Sequence, residues 1–177
     1  ELCGWLEGSN IESNGDVINH DRVHPTYMRV PHTVASIVHQ RLANQALTEA
    51  HTRNLATVYQ ALTKYYEPDG SVHYPEGNDW GNSQLALFYA DDIAMRVLGV
   101  AEASKWEAIH GDLVLEQQRS LGTGQVYKPG DFNSGQVYSV EFDAAAKFAE
   151  AWLMTHTSDT GTHNDNLKPL KPASCSP

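Results

Sequence analysis

The chain has 177 residues, enough for one domain or a large piece of one, and 41% of them are hydrophobic, which excludes a disordered polymer. A net charge of -10 argues against a general nucleic-acid binder, because phosphate backbones call for a basic surface. No run approaches the roughly 18 apolar residues of a membrane span, so no membrane partner is expected.

No signal peptide is visible, and the chain opens at Glu1 without a Met, which reads as a processed product or a piece of something longer. Cys3 and Cys175 lie near opposite ends. They are either a disulfide that ties the termini together, implying an oxidising compartment, or two separate thiols.

The first notable stretch is Gly15 to Met28, GDVINHDRVHPTYM. It crowds Asp16, Asn19, His20, Asp21, Arg22, His24 and Tyr27 together just before a helical pattern. Pro25 is expected to start a helical turn, with Tyr27 in that first turn, where the partial positive charge favours an ionised group.

Helical periodicity then takes over. Val34, Ile37, Val38 and Leu42 form one stripe, with Pro31 and Thr33 as start signals. Leu55, Val58, Tyr59 and Leu62 form a second, opened by Thr48 and Glu49. SQLALFYADDIAMRVLG is a third helix that is apolar nearly all round, expected to be buried on more than one side and to end at Gly99. Trp106, Ile109 and Leu113 mark a fourth helix, and Phe142, Ala145, Phe148, Ala149, Trp152 and Leu153 a fifth. Residues 158–177 are polar and Pro-rich and read as a tail outside the domain formed by residues 1–157.

The loops between the helix pairs repeat. GSVHYPEG and GQVYKPGD share G-x-V-x-x-P, so Gly70, Val72 and Pro75 correspond to Gly124, Val126 and Pro129, with a fainter echo at Gly15 and Val17. Helical hairpins repeating at this spacing predict an all-α fold, either a solenoid or an (α/α) toroid, and the third helix favours the toroid. In a toroid the loops gather at one mouth.

Three groups of residues carry possible chemistry. His20 and His24 titrate near neutrality, Asn19 is an amide donor, and Tyr27 is a phenol usable as acid or base. Such a set suits β-elimination on a uronic acid, where the carboxylate is neutralised, a proton is removed and the leaving oxygen is protonated. The plainer alternative is a polar loop that caps helices and satisfies backbone groups.

His20 and His24 also have a metal-like spacing, with Asp16, Asp21 or Asp79 as a third ligand. Pro25 disfavours helix at His24 and weakens that reading, so no metal is assigned and no cofactor is required, a divalent ion staying open as an alternative.

In the second loop, Tyr74 and Trp80 offer flat faces for a sugar ring, while Glu76, Asn78 and Asp79 offer polar contacts. Asp79 opposite Asp16 or Glu12 would suit a glycoside hydrolase, and Asn78 or Asp79 would equally cap the next helix. The third loop adds Tyr127, Lys128, Phe132 and Tyr138. His39, His51, His110 and His156 lie on helices and read as packing or surface residues.

Asn19-His20 followed by His24-Pro25-Thr26-Tyr27, and then Tyr74-Pro75 leading to Asn78-Asp79-Trp80, resemble segments of large bacterial (α/α)-toroid proteins of the polysaccharide-lyase and glycoside-hydrolase-like type. The likeness covers about residues 8–120. It implies a carbohydrate-active enzyme, secreted or periplasmic, that acts on a polysaccharide or oligosaccharide. Catalysis would fall to Asn19, His20, Tyr27 and His24, and substrate binding to Arg22, Tyr74, Glu76, Asn78, Asp79 and Trp80. Such toroids have about twelve or more helices, and five or six are expected here. A second chain or a missing N-terminal region would therefore complete the ring. A glycoside hydrolase on the same scaffold and a non-catalytic carbohydrate-binding repeat protein are the alternatives.

Overall fold

The structure is a computed structural model that describes residues 11–19, 21–29, 34, 37, 38, 42, 52, 54–77, 85–127 and 137–155. These residues are mostly helical, at 62% helix and 8% strand. Two short antiparallel strands, β1 (Ile18–Asn19) and β2 (Arg22–Val23), pair Ile18 with Val23 and Asn19 with Arg22. Five helices follow: α1 (Pro25–Met28), α2 (Leu55–Leu62), α3 (Leu85–Val97), α4 (Ala103–Leu121) and α5 (Val137–Thr155). A 3-10 turn at Thr63–Tyr65 closes α2. None of these helices is long and apolar enough to cross a membrane.

Local chemistry sets the boundaries. His24 is extended (φ -133°), as the residue before a proline must be, and Pro25 opens α1. Asp21 takes φ +60° at the hairpin tip, a conformation tolerated by an aspartate and suited to a two-residue turn. Gly99 (φ +75°) ends α3 with paired bonds, Val100 N–H to Met95 C=O at 2.9 Å and Gly99 N–H to Arg96 C=O at 3.1 Å. That pattern satisfies carbonyls which the helix end would otherwise orphan.

One core runs from Met28 through Val34, Ile37, Val58, Tyr59 and Leu62 to Phe88, Ile93, Met95 and Met154. Each large side chain buried there contributes about 1.5–3 kcal/mol. α3 packs against both α4 and α5, which explains its apolar circumference.

Two stripes differ from expectation. Residue 42 is helical, yet the Leu42 side chain is 65% exposed. On α5 the buried positions are Ala144, Lys147, Ala151, Met154 and Thr155, whereas Phe142 is 79% and Trp152 52% exposed. Of the expected stripe, Phe148 and Leu153 pack half-buried against the core, whereas Phe142 and Trp152 do not. The start signals Pro31, Thr33, Thr48 and Glu49, both cysteines, and the 158–177 tail lie outside the described residues.

The repeated loops share a backbone design. Ile11 bridges Val17, and Tyr66 bridges Val72, each around a glycine in the left-handed region: Gly15 at φ +92° and Gly70 at φ +83°. Matching bonds close the two turns. Gly15 N–H donates to Glu12 C=O and Gly70 N–H to Glu67 C=O, both at 2.9 Å. The residue before each glycine accepts from the amide two positions on: Asn14 Oδ1 from Asp16 (3.0 Å) and Asp69 Oδ1 from Ser71 (2.9 Å).

Thr123 does the same for Gln125 (3.4 Å), beside Gly124 at φ +76°. The echo at Gly15, faint in sequence, is thus the closer structural copy of the Gly70 turn. The first turn rests on α2, where a Cβ at Gly15 would lie 2.6 Å from Thr57 C=O. The second rests on α4, where a Cβ at Gly70 would lie 2.5 Å from Leu113 Cδ1.

Candidate functional site

The first and second loops meet. The Val23 N–H donates to Glu76 Oε2 at 2.5 Å, and Thr26 Oγ1 lies 3.1 Å from the Tyr74 hydroxyl. The His24 ring stands edge-on to both Tyr27 and Tyr74, with centroids 5.1 Å apart in each case. His24 is 1% exposed and forms the floor of this junction, while Tyr27 and Tyr74 are half-buried above it. Burial pushes the Tyr74 phenol up, opposed by its bond to Thr26 and by the Arg29 charge.

Tyr65 lies at the edge of the same region. Burial first, then the facing Asp16 carboxylate and Glu76, push its phenol up to about 12. Asn19 and Arg22 sit opposite each other on the hairpin, half-buried. The junction therefore gathers Arg22, His24, Tyr27, Tyr74 and Glu76 of the residues expected from sequence, with Asn19 on the adjoining strand. His20, Asn78, Asp79, Trp80, Lys128 and Phe132 lie outside the described residues.

Thr26 was not singled out from sequence, although its place between His-Pro and Tyr marks it. The surface formed in this way offers phenol and alcohol hydroxyls to a polar ligand. Among the described residues no three His, Cys, Asp or Glu side chains are grouped to hold a metal.

Beneath this junction sits a polar network that sequence reading missed. Asp91 and Asp92 are buried side by side on α3, with exposures of 1% and 0%. Asp91 takes Arg29 Nε at 2.7 Å and the Tyr59 hydroxyl at 2.9 Å. Burial pushes its carboxyl up, and Arg29 and Tyr59 oppose the rise.

Asp92 Oδ2 lies 2.5 Å from His110 Nδ1, and His110 Nε2 lies 3.0 Å from Gly70 C=O. Burial pushes the Asp92 carboxyl up to about 7, with His110 pulling it down and Asp91 adding to the rise. The Tyr66 phenol faces Asp92 and is raised well above its ordinary range, by burial first and then by the two carboxylates. Tyr66 also packs edge-on against His110, Phe88 and Trp106. The signal in the sequence was the Asp91-Asp92 pair inside an apolar helix, since buried charges need partners.

A groove of about 370 Å³ opens among α3, α4 and α5, lined by Tyr89, Leu115, Gln118, Phe148 and Trp152 among others. It shares no residue with the loop junction.

Compared with known proteins, the chain matches no family model, no curated protein and no solved structure.

Proposed function

We propose that this chain is part of a secreted or periplasmic (α/α)-toroid enzyme that cleaves uronic-acid polysaccharides by β-elimination. The observation that carries this reading is the junction of the two loops, where Tyr27 and Tyr74 stand half-buried over His24 with Arg22 on the adjoining strand. Repeated turns about 55 residues apart, each followed by helices, support the toroid, since 70 minus 15 is 55 and 124 minus 70 is 54.

In this reaction Arg22, with Asn19 and His20, would neutralise the sugar carboxylate and make the neighbouring C–H acidic. Tyr27, as its phenolate, would take that proton; the C–H electron pair becomes a carbon–carbon double bond as the bond to the leaving oxygen breaks, and that oxygen takes the proton back from Tyr27. His24, packed beneath, orients Tyr27, and Tyr74 with Thr26 offers hydroxyls to the sugar. A second chain or further helices would complete the ring.

Incubation with a panel of uronic-acid polymers should produce an unsaturated product, seen as rising ultraviolet absorbance. Tyr27→Phe should lower that rate roughly 100-fold or more. New reducing ends without the absorbance would point instead to a hydrolase. Binding without cleavage, unchanged in Tyr27→Phe, would point to a binding module.

A further inference from the structure

His110 is fully buried, and each of its ring nitrogens meets an oxygen. The Gly70 carbonyl has no hydrogen to give, so Nε2 must carry one and donate it. The contact of Nδ1 with Asp92 then needs one further proton, on one atom or the other. His110 and Asp92 therefore hold a single proton between them, and the pair as a whole is neutral. Without it, an imidazole lone pair would face a carboxylate at hydrogen-bonding distance in a dry core.

Asp91 adjoins the Asp92 carboxylate on α3 and opposes its charge, while the Tyr66 phenol faces it and eases that charge in part. Trp106 stacks on the imidazole from α4, and Phe88 lies against it from α3. Arg29 is engaged by Asp91, Lys147 on α5 by Glu150 at 2.7 Å, and Arg96 by Glu107 at 3.1 Å.

The oxygen that His110 holds belongs to the turn leading to the candidate site. From Gly70 the chain passes through the Tyr66–Val72 bridge and the bond from His73 N–H to Tyr65 C=O (2.8 Å). It then reaches Tyr74 and Glu76, which bind Thr26 and the Val23 amide of the first loop. The turn is thus gripped at its base by the core and at its far end by the first hairpin.

We propose that His110, sharing one proton with Asp92, is the positioning residue of the Tyr74–Glu76 loop. When this proton is lost, the one remaining on the imidazole moves to Nδ1 against the Asp92 carboxylate; Nε2 then turns a lone pair to the Gly70 carbonyl, Gly70 is released, and the loop parts from the first hairpin. The tether needs no substrate; only its effect on catalysis rests on the lyase reading. Burial, which raises the Asp92 carboxyl to about 7, supports retention of the proton near neutrality. The folded state holds this proton more tightly than an open chain does, so stability is present at lower pH and falls as pH rises through about 7.

The test is nitrogen-15 and proton NMR of the whole chain, with labelled histidine and amides, titrated from about pH 5 to about pH 9. Nε2 of His110 should be protonated below the midpoint. Loss of the shared proton should move the Gly70 and Tyr74 amide signals with the same midpoint. In Asp92→Asn the carboxamide can donate to Nδ1, so the Gly70 tether should persist and those signals should lose their pH dependence.

An Nε2 without a proton at low pH, or Gly70 and Tyr74 signals that ignore the loss of the shared proton, would overturn the proposal. If Asp92→Asn does not fold, the wild-type titration decides alone. Failure to cleave any uronic-acid polymer would sink the lyase reading and leave this result standing.

Discussion

The Gly15 and Gly70 turns have the same bridge, an equivalent cap from Asn14 or Asp69 and the same left-handed glycine, but they are anchored differently. The first lies against the backbone of α2 at Thr57. The second lies against side chains of α4, Leu113 Cδ1 and Ile109 Cγ2, and is held by His110 through its carbonyl. One motif is thus fixed by packing on backbone, and the other by side-chain packing together with a buried polar pair. Packing of the first kind is indifferent to pH, whereas the second inherits the protonation of its anchor.

The largest effect should come from removing that anchor. His110→Ala leaves Asp92 buried without its partner, and should cost about 3–5 kcal/mol in urea unfolding. Asp92, still buried and no longer pulled down by His110, should keep its proton to higher pH, so the fall in stability should move upward in pH.

The glycines sharpen the comparison further. Gly15→Ala meets a backbone oxygen that cannot step aside, and should cost roughly 3 kcal/mol, combining strain and clash. Gly70→Ala meets Leu113 Cδ1, which can rotate, and Ile109 Cγ2, which can give only by a shift of the side chain, and should cost about 2 kcal/mol. Gly124→Ala has nothing within 4 Å, so only the left-handed strain remains, about 1 kcal/mol. Equal shifts in the three urea midpoints would mean that conformation alone, not the supporting helix, sets the cost.

The smallest expected change is in the caps. Asn14→Ala and Asp69→Ala should each cost about 1 kcal/mol, since each removes one side-chain bond to the backbone. A larger loss at Asn14, whose Nδ2 also binds Asp16 at 2.7 Å, would show the first turn leaning more on its cap.

Much of the helical framework was legible in sequence because period and punctuation act locally. Gly99 stopped α3, Pro25 opened α1, and the stripe Leu55, Val58, Tyr59, Leu62 went inward. The face of α5 was not legible. Its expected stripe of Phe142, Phe148 and Trp152 lies off the buried line, which runs through Ala144, Lys147, Ala151 and Met154 and leaves Phe148 half-buried at its edge. The line that goes inward depends on which neighbours α5 meets, and those lie far away in sequence.

The candidate site was half-legible. His-Pro-Thr-Tyr and the Tyr74–Glu76 segment drew attention by composition, yet their meeting depends on the bond from Val23 to Glu76, 53 residues apart. His110 looked like packing because a lone histidine on a helix gives no hint of its partners. Only the fold brings Asp92 and Gly70 to its two nitrogens.

The distance along the chain between each turn and the helix beneath it has a kinetic consequence. Gly15 rests on Thr57, 42 residues later (57 minus 15), and Gly70 on Ile109, 39 residues later (109 minus 70). Each turn finds its support within its own unit, so the closing contacts span a similar, moderate length of chain. Assembly should then proceed unit by unit, with the search for partners no longer in the second unit than in the first.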